Sequence, residues 1–331
     1  MKEFALDLDR FPDLPFPVAT VRELRKAGRM KVRAMDRQLL VVWNDGAPRL
    51  FADSCAHLGL PLSLGTLEDK AIRCRYHGWA FDTDDGQVVD QPTLHKRQPC
   101  KLKRFGALIA GGLVFGWMGD QADATQIRER LPAKVLDGFS LFRVTFRCPW
   151  PLALFSSVDY AHFPYHTGYK PAYKIYSAFR RNEHAPGTAF PSKVASEEDH
   201  RITVRIEEAD RSIHMYATAS EMDDDSVNFF QTFVTPVSAM ETTYWECYRP
   251  RSRNPVVNLL ARATFRTVTT RLLNGEDRVW TGAAAPNFVR GENIHLSEND
   301  VPLGAHLRKF VFPRMQASEG PSTSGSSKPR R

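Results

Sequence analysis

The chain has little that would take it out of water. None of the apolar runs in its 331 residues reaches the roughly 18 residues a membrane span needs. Its opening, MKEFALDLDRFPDLPF, is too acidic and too interrupted for a secretory leader, so a cytoplasmic setting is expected. Cysteine is scarce, and its number, five, is odd, which argues against a disulfide framework. No segment repeats. No G-x-G-x-x-G opens a helix; the nearest glycine-rich run, Gly106 to Gly112, leads into a strand. NAD(P)H is therefore expected on a partner and not on this chain. Basic residues outnumber acidic ones, 45 to 38. The basic stretches Arg22 to Arg33 and Lys96 to Arg104 are short, however, and lack an interleaved aromatic recognition pattern, so nucleic acid is not an expected partner. They read either as a solvated face or as a landing surface for an acidic electron donor.

Hydrophobic residues make up 42% and charged residues 25% of the chain, as in a soluble globular protein of two domains. Residues 1–15 read as an N-terminal extension. From 16 to 119 the pattern is short strands, such as Gln38 to Trp43, separated by turns at Asn44-Asp45-Gly46 and Asp85-Gly86. Such turns between apolar runs are hairpin signals, so this part is expected to be all-β. Gln121 to Arg130 has helical propensity. Residues 120–315 carry longer alternating strands, at Leu141 to Phe146, Arg201 to Glu207, Ile213 to Thr218, Val227 to Val234 and Thr242 to Tyr248. A helical pattern then runs from Val256 into Ala283-Ala284-Ala285. One antiparallel sheet covered by helices, an α+β layer, is expected. Residues 316–331, rich in Ser, Pro and Gly, are expected to be a disordered tail.

Two ligand pairs stand out against this background. Cys55-Ala-His57 and Cys74-Arg-Tyr-His77 form C-x-H and C-x-x-H with sixteen residues between them. Two thiolates and two imidazoles suit a Rieske [2Fe–2S] cluster, with two Cys on one iron and two His on the other. Its potential lies at roughly −150 to +300 mV, against roughly −400 mV for an all-Cys plant-type cluster. A Cys₂His₂ zinc site uses the same ligands, but zinc fingers usually pair Cys with Cys and His with His. Here each loop supplies one of each and carries a Gly after its His, Gly59 and Gly78, which lets backbone amides turn toward cluster sulfurs. The apolar segment Leu60-Pro61-Leu62 can shield the metal from water.

These loops, CAHLGLPLSLG and CRYHGWAFD, resemble the cluster loops of Rieske non-haem iron oxygenases. GGLVFGW, Gly111 to Trp117, resembles the last strand of that family's cluster domain. The resemblance implies a C-terminal helix-grip (START-like) catalytic domain that binds a mononuclear Fe(II). Ser157 to His166 contains Asp159, His162 and His166, and two imidazoles with one carboxylate leave iron positions open for O₂ and substrate. The spacing of four can set both His on one helical face. Ser156 with Asp159 reads as a capping pair. The family pattern is D-x-x-H-x₄-H, and the second interval is one residue shorter here. The family's frequent Glu-Asn pair is replaced by Phe155-Ser156. Both departures bear on the coordination geometry. Asp277 is the implied third ligand, with Glu276 as its rival; neighbours on a helix point about 100° apart, so one of the two faces the iron.

By the same resemblance Asp159 accepts a hydrogen bond from His162 Nδ1 and touches His77 of a neighbouring subunit. That implies a homotrimer and an electron path from cluster to iron. The implied activity is that of a terminal oxygenase component, fed by a ferredoxin or reductase that uses NAD(P)H. It hydroxylates or demethylates a small aromatic or polycyclic molecule with O₂. The single chain and its length favour the monooxygenase and demethylase branch over dioxygenases. Oxidative cyclisation, desaturation and N-oxidation at the same site stay open, as does a plain electron carrier. Phe229, Phe233, Tyr244 and Trp245 are candidate substrate-facing positions, with plain core packing as the commoner reading of aromatics in strands. Cys100, Cys148 and Cys247 read as reduced thiols.

Overall fold

In the computed structural model of the chain, the described residues are 6–159, 161–162, 191–206, 211–223, 228–250, 254–292 and 294–316. His166 and all but the first residue of the expected tail lie outside them. Gln316, placed in that tail by its composition, still belongs to the last helix, Phe312–Gln316.

The N-terminal part is all β. Its strands are β1 (Phe16–Thr20), β2 (Arg29–Ala34), β3 (Arg37–Asn44), β4 (Ala47–Ala52), β5 (Thr66–Leu67), β6 (Ala71–Arg73), β7 (Ala80–Asp82), β8 (Val88–Asp90), β9 (Arg104–Ala110) and β10 (Leu113–Trp117). Six form one sheet in the order β1-β10-β9-β4-β3-β2, and β5 to β8 form a small sheet in sequence order. The one regular helix here, α1 (Val21–Ala27), opens with a capping box between Thr20 and Glu23. The small sheet carries the second ligand pair, and the first follows β4. Beneath both pairs lies a separate apolar core that includes Leu40, Phe51, Leu62, Ile72, Trp79 and Phe81.

A connector containing α2 (Ala124–Glu129) leads to a seven-stranded antiparallel sheet. It comprises β11 (Ser140–Phe146), β12 (Ser192–Glu197), β13 (Ile202–Ile206), β14 (Arg211–Met215), β15 (Ala219–Asp223), β16 (Asn228–Ser238) and β17 (Glu241–Pro250), in the order β11-β17-β16-β15-β14-β13-β12. Between β11 and the rest comes α3 (Trp150–Phe155). After β17, α4 (Pro255–Leu272) passes through a π-helical turn, Leu273–Asp277, into α5 (Arg278–Arg290). The expected α+β arrangement is present. No helix among the described residues is long and apolar enough to cross a membrane.

Alternation along β16 and β17 divides the sheet into two faces. One face looks to the N-terminal domain and the connector: Phe233, Trp245 and Cys247 share a buried cluster with Phe115, Trp117, Ile127 and Leu136. Phe115 meets Phe233 edge-on at 5.3 Å. The other face looks to the helices: Tyr244 stacks on Phe146 at 5.1 Å, and Tyr248 stacks on Phe265 of α4 at 4.4 Å. Phe233 and Trp245 therefore do not face substrate space. Their period of two sends them into the domain interface, and only Tyr244 of the candidate set with a described side chain points the other way.

Polar contacts fix the interface. The β2–β3 turn donates Met35 N to Pro236 O (2.7 Å) and Asp36 N to Val237 O (2.9 Å). Thr235 Oγ1 donates to Pro17 O at 2.6 Å. Gln231 is fully buried: its Oε1 accepts from Leu136 N, and its Nε2 donates to Lys134 O and Glu221. Such satisfied buried amides hold a register that apolar contact alone leaves free to slide.

Candidate metal centres

The two ligand loops share one backbone design. In the first, Cys55 N donates to Leu60 O and Gly59 N to Cys55 O. In the second, Cys74 N donates to Trp79 O and Gly78 N to Cys74 O. Each Gly sits at positive φ, +78° for Gly59 and +74° for Gly78, where a side chain is strained. A Cβ at Gly78 would also meet Pro92 at 2.9 Å. Asp53, buried ahead of the first loop, accepts both the backbone N–H and the hydroxyl of Ser63. Arg73 ties the second loop by donating to Gly78 O (2.6 Å), Asp90 (2.7 Å) and Glu68. Replacing Arg73 by Ala is expected to cost about 1–3 kcal/mol through the lost charge-assisted bonds. Thermal melting alongside cluster content per chain checks this: a loosened loop should shed cluster on standing.

The side chains arrive in pairs. The Cys55 and Cys74 thiols are buried, and burial, followed by the neighbouring Cys74 thiol, pushes Cys55 up to about 11. The rings of His57 and His77 lie 4.6 Å apart, edge to face, and His57 stacks on Trp79 at 4.4 Å. His57 Nδ1 is enclosed with no hydrogen-bond partner among the described residues, a costly state for a polar atom unless something else takes its lone pair. Among those residues no three His, Cys, Asp or Glu side chains form a single-ion group. A thiol pair beside an imidazole pair fits the two irons of a [2Fe–2S] cluster, whereas zinc gathers four donors at one tetrahedral centre.

A family model for the Rieske [2Fe-2S] domain matches residues 15–106, a span that contains both loops. Those residues form a Rieske [2Fe–2S] domain. The chain matches curated relatives that include an oxygenase subunit and a demethylase. It is 28% identical over 179 residues to the oxygenase subunit of 3-chlorobenzoate-3,4-dioxygenase from Comamonas testosteroni, covering 48% of this chain and 40% of that protein. It is 34% identical over 118 residues to a methylxanthine N1-demethylase from Pseudomonas putida, 34% of each chain. The first curated relatives are matched over only 20%, 28% and 40% of their own length. In fold the likeness spans nearly everything. The terminal oxygenase of carbazole 1,9a-dioxygenase from Nocardioides aromaticivorans superposes with a TM-score of 0.71 at 19% identity, over 95% of this chain and 97% of that one. The reduced complex between oxygenase and ferredoxin in carbazole 1,9a-dioxygenase scores 0.67 at 18% identity, over 91% and 88%.

The second group lies across the sheet from the Rieske domain. Asp159 and His162 follow α3, whose last turn is closed by Ser156 Oγ donating to Ala153 O and Ser157 Oγ to Leu154 O. Ser156 thus ends a helix and caps no new one; its hydroxyl is spent on the carbonyl three residues back. Asp159 Oδ2 stands 3.1 Å from His162 Nδ1, and Asp277 Oδ1 stands 3.2 Å from His162 Nε2. Asp159 Oδ1 also accepts from Ala161 N at 3.0 Å. Burial pulls His162 down, but the two carboxylates outweigh it and lift the imidazole to about 9. Asp277 is 3% exposed at the end of the π turn, and Thr281 Oγ1 donates to its carbonyl at 2.7 Å. Of the two rival carboxylates, Asp277 stands within hydrogen-bond distance of His162.

Sequence reasoning missed the polar residues of the sheet's helix-facing side. Glu246 is buried in the middle of β17. Its Oε2 accepts from Thr232 Oγ1 and from Tyr244 OH, both at 2.7 Å. Burial raises this carboxyl to about 7, the two hydroxyls oppose the rise, and Asp277 adds to it. Phe230, Tyr248 and Phe265 form an aromatic cluster nearby, with Phe230 5.0 Å from Tyr248. The signal was available: one carboxylate stands in the otherwise uncharged run Thr242-Thr243-Tyr244-Trp245-Glu246-Cys247-Tyr248.

Proposed function

We propose that the chain is the terminal oxygenase component of a multicomponent system that hydroxylates or demethylates a small aromatic molecule with O₂, by monooxygenation. The observation that carries the reading is one fold holding both the paired cluster loops and His162 set between Asp159 and Asp277. Cys55, Cys74, His57 and His77 would hold the cluster; His162, His166 and Asp277 would hold the iron. When bound, these groups supply one-electron transfer and O₂ activation. The chain's own residues do the positioning. Asp159 accepts a hydrogen bond from the Nδ1–H of His162, which keeps the proton on Nδ1, fixes the tautomer and leaves Nε2 as the lone-pair donor on the Asp277 side. The helix-facing aromatics exclude water and provide the apolar walls that ligand sites commonly have.

Partners follow from the exposed surface and from what the fold relatives assemble with. Around His57 and His77 the apolar side chains Leu58 (66% exposed), Tyr76 (63%) and Leu64 (56%) face solvent. Leu60, Leu64, Arg75 and Tyr76 line a shallow groove of about 360 Å³. A ferredoxin, reduced by an NAD(P)H-dependent reductase, is the proposed occupant when electrons are loaded. We further propose a homotrimer, in which Asp159 of one subunit approaches His77 of the next. Val256, Leu259 and Leu260, exposed on the first turns of α4, offer additional apolar surface for assembly. Five free thiols fit a cytoplasmic setting.

Metal analysis with EPR tests the reading. About three irons per chain and a reducible Rieske signal are expected, two irons from the cluster and one from the second site. Coupled O₂ and NADH consumption with a surrogate reductase then selects among substrates. About two irons would leave an electron carrier, and a colourless zinc protein would end the proposal.

A further inference from the structure

From the position of Glu246 we infer a recognition group in the candidate site: its free carboxylate oxygen accepts a hydrogen bond from a substrate nitrogen that carries a proton. This deepens the oxygenase reading and rests on it. The substrate class becomes nitrogen compounds with an N–H or N⁺–H donor next to the oxidised position.

Three observations converge. First, Glu246 sits where folding does not ask for a carboxylate. It is the centre of an inner strand, 8% exposed, flanked on its own face by Tyr244 and Tyr248. Burying a carboxylate without a cation is costly, and replacement by an apolar residue is generally tolerated or favoured. Second, its bonds are one-sided. Thr232 and Tyr244 both donate to Oε2, which locks the side chain. Among the described residues no hydrogen bond reaches Oε1. A carboxylate with one oxygen anchored and the other open is prepared for a donor. Third, the surroundings match a ligand site. Tyr248 and Phe265 stack at 4.4 Å, with Phe230 against both. Glu246 and Tyr244 share the face of β17 against which α3 packs, with Thr242 Oγ1 of that face donating to Cys148 O just ahead of the helix, and α3 leads directly into Asp159 and His162. An apolar space with one convergent polar group is the usual form of a small-molecule pocket. A site built to pair a substrate N–H discriminates strongly against an analogue that lacks it, because the buried acceptor is then left unpaired.

The test uses the metal-loaded full chain and three near-isosteric probes: indole (N–H donor), benzofuran (oxygen acceptor) and indene (neither). Affinities are measured anaerobically by equilibrium dialysis. The wild-type protein should bind indole about tenfold or more tightly than indene or benzofuran. Glu246→Leu should level the three. Glu246→Gln is the decisive variant. The amide oxygen keeps the bonds from Thr232 and Tyr244 and turns the NH₂ toward the ligand, so the order should invert in favour of benzofuran. Wild-type protein that binds indole no better than indene, or binds none of the three, overturns the inference. So does a preference that survives in Glu246→Leu. Iron and cluster content are read on the same samples. Iron lost from the variants would make Glu246 a support for Asp277 and also overturn it. A wild-type protein lacking the mononuclear iron would defeat the oxygenase proposal, while the binding order would still report on Glu246.

Discussion

Changing Asp159 to Asn should leave cluster and iron in place and lower turnover by about 10- to 100-fold, the range seen when carboxylate partners of metal-binding imidazoles are removed. The carboxylate serves two donors at once, with Oδ1 on Ala161 N and Oδ2 on His162 Nδ1. Asn has a single acceptor oxygen. One of the two N–H groups must lose its partner or face the new NH₂. The negative charge that raises the basicity of His162 also disappears. In the proposed assembly the same residue approaches a neighbouring His77, so the loss falls on electron delivery. The discriminating measurement is a single turnover. Protein with a pre-reduced cluster is mixed with substrate and O₂, and the cluster's reoxidation is followed by its absorbance. A slowed reoxidation with full metal content places Asp159 on the path. Unchanged turnover would remove it.

Different kinds of information made the two centres legible. The cluster loops could be read because their constraints are local: each needs a Cys, a His and a left-handed Gly within five residues, and Gly59 and Gly78 have that φ. The sheet could be read where alternation is clean, as in β11 and β17. The second site depends on contacts of long range. His162 meets Asp277 across more than a hundred residues, and no local pattern separates Asp277 from Glu276, its neighbour in the π turn Leu273–Asp277. Phe233 and Trp245 follow the core alternative, and an aromatic in a strand buried on both faces gives no sign of which face is which. The same ambiguity hid Glu246. Its meaning appears only once Thr232 is known to lie across from it in β16.

Asp277→Ala should bring the iron content from about three per chain to about two, whereas Glu276→Ala should leave it at about three. A buried carboxylate is ordinarily a liability. Asp277 sits at 3% exposure and pushes upward on Glu246, a second buried acid. Removing it relieves that repulsion but also takes away a carboxylate that pairs with His162, so the iron-free variant should melt somewhat below iron-free wild type. The response to metal is what separates a ligand from a structural carboxylate. Ferrous iron added anaerobically should raise the wild-type Tm, because a ligand that binds only the folded state stabilises it in proportion to RT ln(1 + [L]/Kd). At a free concentration of 100 Kd that is about 2.7 kcal/mol, a shift of several degrees for a protein of this size. Asp277→Ala should lose this rise and Glu276→Ala should keep it. Equal responses of the two variants to iron would move the third ligand away from Asp277, and with it the pairing to His162 on which the second centre is built.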